Sequence, residues 1–163
     1  MKLFISSPLG FAESTSPFRE TLIHTLQAKQ LDIIDPWSTA SDLEAELQKT
    51  KKIDNTEIRT KTLHSISTKI AERNASNIRE CEMMLAVLDG VDVDSGTASE
   101  IGYAFALGKR IYGIRTDFRR AGENDGVCVN LQVQYWIEAS GGCIVRSVKE
   151  LESLSIILSK SCI

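Results

Sequence analysis

Between residues 89 and 100 the chain reads Asp89-Gly90-Val91-Asp92-Val93-Asp94-Ser95-Gly96-Thr97-Ala98-Ser99-Glu100. This segment follows Met83 to Leu88, a continuous apolar run of the kind found in strands covered on both faces. Asp89-Gly90 is a turn signal, and Asp94-Ser95-Gly96-Thr97 offers helix-capping residues. Four carboxylates therefore gather around the end of one buried strand. Glu100 falls about a turn and a half inside the following helix, and its side chain leans back toward the helix start. A helix N-terminus favours the ionised form of a carboxyl beside it. An ionised glutamate at a cleft can attack an electrophilic sugar carbon and form a covalent intermediate. The plainer alternative is that Asp94 only caps the helix and Glu100 is solvated. Spacing alone leaves both open.

Other chemistries lack their residues. There is no GxxxxGK[ST] loop, no GxGxxG after the first apolar run, and three acidic residues before the helix would repel a phosphate. Ser95 has no GxSxG setting. Cys81, Cys128, Cys143 and Cys162 form no CxxC pair, and only His24 and His64 could join them. Neither a metal site nor an organic cofactor is expected, and the thiols read as reduced residues of a cytoplasmic protein. The two histidines read as surface or packing residues.

The elements that must position these groups alternate strand with helix. Short apolar runs lie at Leu3 to Ser6, Leu31 to Ile34, Met83 to Leu88, Arg110 to Ile114 and Cys143 to Val145. Helical spacing runs from Ser16 to Lys29, Glu57 to Arg79, Asp94 to Leu107, Asn130 to Ala139 and Val148 to Lys160, with Gly108 placed to cap the third of these. Trp37 to Asn55 reads as a polar excursion able to form a lid, and Thr116 to Val127 as a polar loop. This pattern predicts an α/β fold: one doubly wound, five-stranded parallel sheet of flavodoxin or Rossmann type, with its ligand beyond the carboxyl ends of the strands. At 163 residues, 42% hydrophobic and 25% charged, one domain is expected. A net charge of −3 argues against a nucleic-acid polymer as partner. No apolar run approaches the ~18 residues of a membrane span, and the N-terminal apolar stretch is too short for a signal peptide.

The segment Asp94-Ser-Gly-Thr-Ala-Ser-Glu100-Ile-Gly-Tyr-Ala-Phe-Ala-Leu-Gly-Lys109 resembles the signature of the nucleoside 2-deoxyribosyltransferases. The likeness extends to Ile5-Ser-Ser-Pro-Leu-Gly-Phe11, Asp117-Phe-Arg119, Asn130-Leu131 and Ser140-Gly-Gly142, so it covers nearly the whole chain, residues 1–163. Trp37 to Asn55 matches least. The resemblance implies a ping-pong exchange: Glu100 attacks C1′ of a 2′-deoxynucleoside, the base departs, and a second base attacks the covalent intermediate with net retention. Nucleosides and free nucleobases are the implied partners. Asp94 is carried over as a pocket residue that bonds substrate, with Gly96 beside it. Ser7, Pro8 and Phe11 correspond to a loop packing on base or sugar, the alternative being a simple turn. Asn130 corresponds to an asparagine that completes a neighbouring subunit's site, with Gln132 lining the same pocket. This implies at least a homodimer. For Asn130 alone, a helix cap is the simpler reading.

Two positions depart from the family pattern. Phe4 stands where some members have a tyrosine whose hydroxyl touches the nucleophile. Asn74 stands where some carry an aspartate that protonates the leaving base. An amide can bind a base edge but cannot act as an acid, which leaves Asp94, Asp89 or water to do so; Asp89 is also expected at the substrate. Arg119 and Arg120 can reach substrate or sit at a solvated loop edge, and Trp37 can cover the site or join the core. The alternatives are an N-glycosidase hydrolysing nucleosides or their 5′-monophosphates, and a non-catalytic nucleotide-sensing module on the same fold. Asp94 opposes a phosphate's charge and so favours nucleosides.

Overall fold

The computed structural model describes residues 1–39 and 41–158. The five apolar runs become five parallel strands: β1 (Lys2–Ser6), β2 (Asp32–Ile34), β3 (Met83–Val87), β4 (Arg110–Ile114) and β5 (Ile144–Val145). They lie in the order β2-β1-β3-β4-β5, a flavodoxin-like doubly wound sheet. Leu3 pairs with Met83 and Ser6 with Ala86, which sets the carboxyl ends of β1 and β3 side by side. All five residues of β3 are buried, as its unbroken apolar run requires of a central strand.

The helices are α1 (Ser16–Gln27), α2 (Pro36–Thr39), α3 (Ser41–Thr50), α4 (Thr56–Glu80), α5 (Ser95–Ala106), α6 (Leu131–Ala139) and α7 (Val148–Leu158). Strand alternation divides the core into two layers. Leu3, Ile5, Leu85 and Val87 meet Leu22 and Leu26 of α1 and Leu151 of α7 on one face. Phe4, Met84, Ala86 and Ile111 meet Ile78 of α4, Ile101 of α5 and Ile137 of α6 on the other. Gly108 has φ +69° directly after the cap residue Leu107, the left-handed position that ends α5.

Some boundaries are tighter than the sequence pattern suggests. β5 begins at Ile144, and α1 ends at Gln27 because the turn that follows takes Gln30 to φ +60°. Cys162 lies outside the described residues, and Cys81, Cys128 and Cys143 are free thiols. No helix among the described residues is long and apolar enough to cross a membrane.

Among the described residues, the excursion between Trp37 and Asn55 carries the rest of α2 and all of α3. At 25 residues α4 is about 37 Å long, whereas a five-residue strand spans about 17 Å. The surplus rises past the sheet, and α3 packs against it. Arg73 of α4 donates to both Asp42 oxygens at 3.0 and 2.8 Å, Lys69 pairs with Glu46 at 3.4 Å, and Leu43 is buried. Arg19 of α1 bonds the buried Asp35 and, at 2.8 Å, the hydroxyl of Ser38, which anchors α2.

The central strand is the most demanding part of this packing. Leu85→Ala should lower unfolding stability by about 2–5 kcal/mol in urea titrations, the usual range for a buried leucine. A loss under about 1 kcal/mol would contradict the packing described.

Candidate active site

Sheet topology brings the carboxyl end of β1 against the start of α5. Ser6, the last residue of β1, is fully buried, and its hydroxyl donates to Glu100 Oε2 at 2.5 Å. From the opposite side Asn74 Nδ2, on α4, donates to Glu100 Oε1 at 3.1 Å. Each carboxylate oxygen therefore takes one side-chain donor, and a lone pair on each remains for substrate. Asp94 caps α5, its Oδ2 accepting the Thr97 N–H at 3.0 Å. Gly96 lies close beside it: a Cβ there would stand 3.1 Å from Asp94 Oδ2.

All of these groups except Ser6, which lies behind Glu100, line one cavity of about 610 Å³. Glu100, Asp94, Gly96 and Asn74 form one end. Leu43, Glu44, Leu47 and Gln48 from α3, with Lys51 just after it, form the far wall. At the mouth the Trp37 ring lies against the backbone of Gly10, where any Cβ would sit 1.9 Å from Trp37 Cδ2. Trp37 Nε1 donates to the Ser7 carbonyl at 2.9 Å, and Phe11 meets the indole edge-on with centroids 4.7 Å apart. Phe11 is 75% exposed, and the Ser7 hydroxyl is buried with no hydrogen-bond partner among the described residues. Such a cavity, with an aromatic edge and a few convergent polar groups, suits a small molecule with a flat apolar part and hydroxyls.

Burial pushes the Glu100 carboxyl above the ordinary carboxylate value. The Ser6 and Asn74 hydrogen bonds pull it partly back, and the nearby Asp94 charge adds a further upward push. Desolvation thus outweighs the helix-terminus effect that the sequence pattern suggests. A weakly solvated carboxylate is the better nucleophile once ionised.

Other expected site residues lie elsewhere. Asp89 is turned out of the cavity, because Thr116 and Asp117 take up its carboxylate. Pro8 closes a turn through the Phe11 N–H at 3.1 Å and does not line the cavity. Asn130 caps α6, accepting from Gln132 N at 3.1 Å and Val133 N at 3.3 Å, and its amide donates to Glu123 at 2.8 Å. Gln132 is exposed. Neither enters this chain's own cavity. Arg119 grips Asp117 and Arg120 grips Asp125, beside a second cavity of about 650 Å³. Phe4 is core, as its apolar ring requires. Ser6 falls within the Ile5-to-Phe11 likeness, but the sequence does not single it out as a site residue. Its signal was a small polar residue in phase with Phe4 at the very end of a buried strand. Among the described residues, no three His, Cys, Asp or Glu side chains cluster as metal ligands do.

The raised Glu100 value has a consequence for folding. Between the ordinary value and the raised one, the folded chain binds more protons than the unfolded chain. Stability from this group therefore falls as pH rises through that window, and the penalty is complete above it. Glu100→Gln should melt higher than the parent at about pH 8 and lose that advantage at about pH 4. A variant that melts no higher at the alkaline pH would contradict the burial argument.

Comparison with known proteins agrees with this geometry. The profile of the family described as nucleoside 2-deoxyribosyltransferase matches residues 3–132. No curated protein sequence matches. Among solved structures, a conserved protein from Enterococcus faecalis superposes with a TM-score of 0.70 at 21% identity, covering 97% of this chain and 98% of its own. A 2-deoxyribosyltransferase from Leishmania mexicana gives 0.66 at 18% identity, covering 99% of both chains. A CMP N-glycosidase from Clostridium botulinum gives 0.56 at 19%, covering 94% of this chain and 96% of its own. At such identities the structural likeness is one of fold, and the profile match over most of the chain carries the assignment: this chain belongs to the nucleoside 2-deoxyribosyltransferase family.

Proposed function

We propose that the protein exchanges nucleobases on 2′-deoxynucleosides through a covalent glutamyl intermediate. The observation that carries this reading is the half-buried Glu100 carboxylate, held at the end of a ligand-sized cavity by one donor on each oxygen. Members of the family act on nucleosides.

In the first half-reaction a Glu100 oxygen attacks C1′. The glycosidic bond breaks, its electron pair leaves with the base nitrogen, and the base gains a proton. The Asn74 amide has none to give and Asp94 is read here as charged, so that proton comes from water. A glutamyl–deoxyribosyl ester remains. In the second half-reaction the nitrogen of an incoming base attacks C1′ and gives up its N–H proton to water, the ester bond breaks, and Glu100 regains its charge. Two inversions give net retention. Ser6 and Asn74 hold the carboxylate in line, and Asp94 Oδ1, which carries no cap bond, can accept from a sugar hydroxyl. Phe11 and Trp37 offer the base an aromatic edge. The Asp94 charge disfavours a 5′-phosphate, so nucleosides rather than nucleotides are the substrates. Asn130 serves a neighbouring copy in a homo-oligomer, which its position outside its own cavity allows.

The test is incubation of deoxyinosine with free adenine or cytosine. New deoxynucleoside should form with the parent and not with Glu100→Ala. Release of free base without exchange would instead indicate a hydrolase, and no turnover at all a sensor. Because attack needs the ionised carboxylate, activity should fall as pH drops through the raised Glu100 value, above the ordinary carboxylate range. Ser6→Ala removes a bond that lowers this value. It should move the acid limb of the rate profile to higher pH and reduce kcat by about 10- to 100-fold. An acid limb that stays in place would contradict the Ser6–Glu100 contact as a tuning bond.

A further inference from the structure

Asp89 and Arg115 make a reciprocal connection between the loops that leave β3 and β4. Asp89 Oδ1 accepts the backbone N–H of Thr116 at 2.5 Å and of Asp117 at 2.8 Å, and its Oδ2 accepts the Thr116 hydroxyl at 2.7 Å. Arg115 returns the contact. Its guanidinium donates to the carbonyl of Leu88, to that of Gly90 at 3.1 Å, and to that of Arg119 at 2.8 Å. Leu88 and Gly90 flank Asp89 in the chain, so the two loops are pinned from both sides at one point.

Arg115 is fully buried, and its Nε–H has no partner among the described residues. Burying a charge with a donor unsatisfied costs stability, and an apolar residue of similar length would avoid that cost. What the arginine supplies is a planar fork that fixes carbonyls of two loops at once. The pinned loop is tight: Gly90 has φ +134°, where side-chain-bearing residues are strained. It runs from there directly into Asp94, the cap of α5, and so to Glu100.

We infer that Asp89 and Arg115 are positioning residues for the reaction, a lock between the two loops that sets where α5 begins and therefore where Asp94 and Glu100 stand. This inference rests on the reading of Glu100 as nucleophile. It replaces the role of Asp89 at the substrate with one exerted through the backbone.

The chemistry of the asparagine variant separates the two roles. In Asp89→Asn, one oxygen still accepts from both N–H groups, and the new amide can donate to the Thr116 hydroxyl oxygen. Asp89→Ala has no such contacts. Asp89→Ala should lose about 10- to 100-fold in kcat with KM within about twofold of the parent, as expected for a displaced nucleophile, and Asp89→Asn should recover most of that loss. Arg115→Lys keeps the charge but loses the fork, and should resemble Asp89→Ala.

Two readouts do not depend on turnover. The Thr116 and Asp117 amides should exchange hydrogen faster in Asp89→Ala than in the parent. The Glu100 carboxyl, followed by carbon-13 NMR titration, should move down toward the ordinary value as water reaches it, and return in Asp89→Asn. If Asp89→Ala does not fold, Thr116→Val removes only the hydroxyl bond and should shift the Glu100 titration in the same direction by less. The inference is overturned if Asp89→Asn loses as much kcat as Asp89→Ala does, if either variant raises KM well beyond about twofold, or if Asp89→Ala (or Thr116→Val in its place) leaves the Glu100 titration unmoved. A parent protein without exchange activity would refute the proposed function alone, since the titration and the amide exchange would still decide this inference.

Discussion

A carboxylate drawn partly out of water loses hydration that donors must replace, and the cavity end of this molecule is arranged around that constraint. Glu100 has two side-chain donors, and each arrives on a different element. Ser6 comes at the last position of β1, and Asn74 comes from α4. Neither could reach Glu100 unless β1 and β3 were neighbours with α4 and α5 on the same face. The 2-1-3-4-5 order is the arrangement that supplies this, because the chain switches faces between β1 and β3. The two donors reduce the cost of burial without removing it, and the residual upward push leaves a carboxyl that is reactive when ionised and costly to keep so.

The remaining acids near the strand ends are disposed so that they do not all share that cavity. Asp94 is the one that joins Glu100 there, while its cap bond to Thr97 ties it to α5. Asp89 is satisfied by three donors from the next loop, and Asp92 accepts the Val93 N–H at 2.7 Å. Asp117 is held by Arg119, whose guanidinium keeps that carboxyl well below the usual carboxylate range. A row of acidic residues that looks like one cluster in the sequence is thus parcelled among separate partners. Like charges that would raise one another's proton affinity are kept apart.

The features that local pattern encodes were legible. The unbroken run of β3, the cap at Asp94 and the helical spacing that follows place Glu100 one and a half turns into a helix without knowledge of anything distant. The alternation of strands and helices likewise implies the doubly wound sheet. What could not be read depends on contacts between residues far apart in the chain. The side to which Asp89 turns is decided by Thr116 and Asp117, and the identity of the hydroxyl on Glu100 by the register that sets Ser6 opposite Ala86. Trp37 to Asn55 looked like an excursion because its own apolar content is low. It is joined to α4 by pairs between residues far apart in sequence, Arg73 with Asp42 and Lys69 with Glu46, that no local spacing reveals.

That wall is fastened to α1 and α4 by ion pairs and a few apolar contacts, whereas the donors on Glu100 belong to the sheet and to the lower part of α4. The two regions therefore answer to different mutational pressures. Changes along α3 can redraw the outline of the chamber while the Glu100 carboxylate and its two donors stay in place. The chain joins an interchangeable fitting to a fixed frame, so the shape that the chamber admits can change without moving the carboxylate at its end.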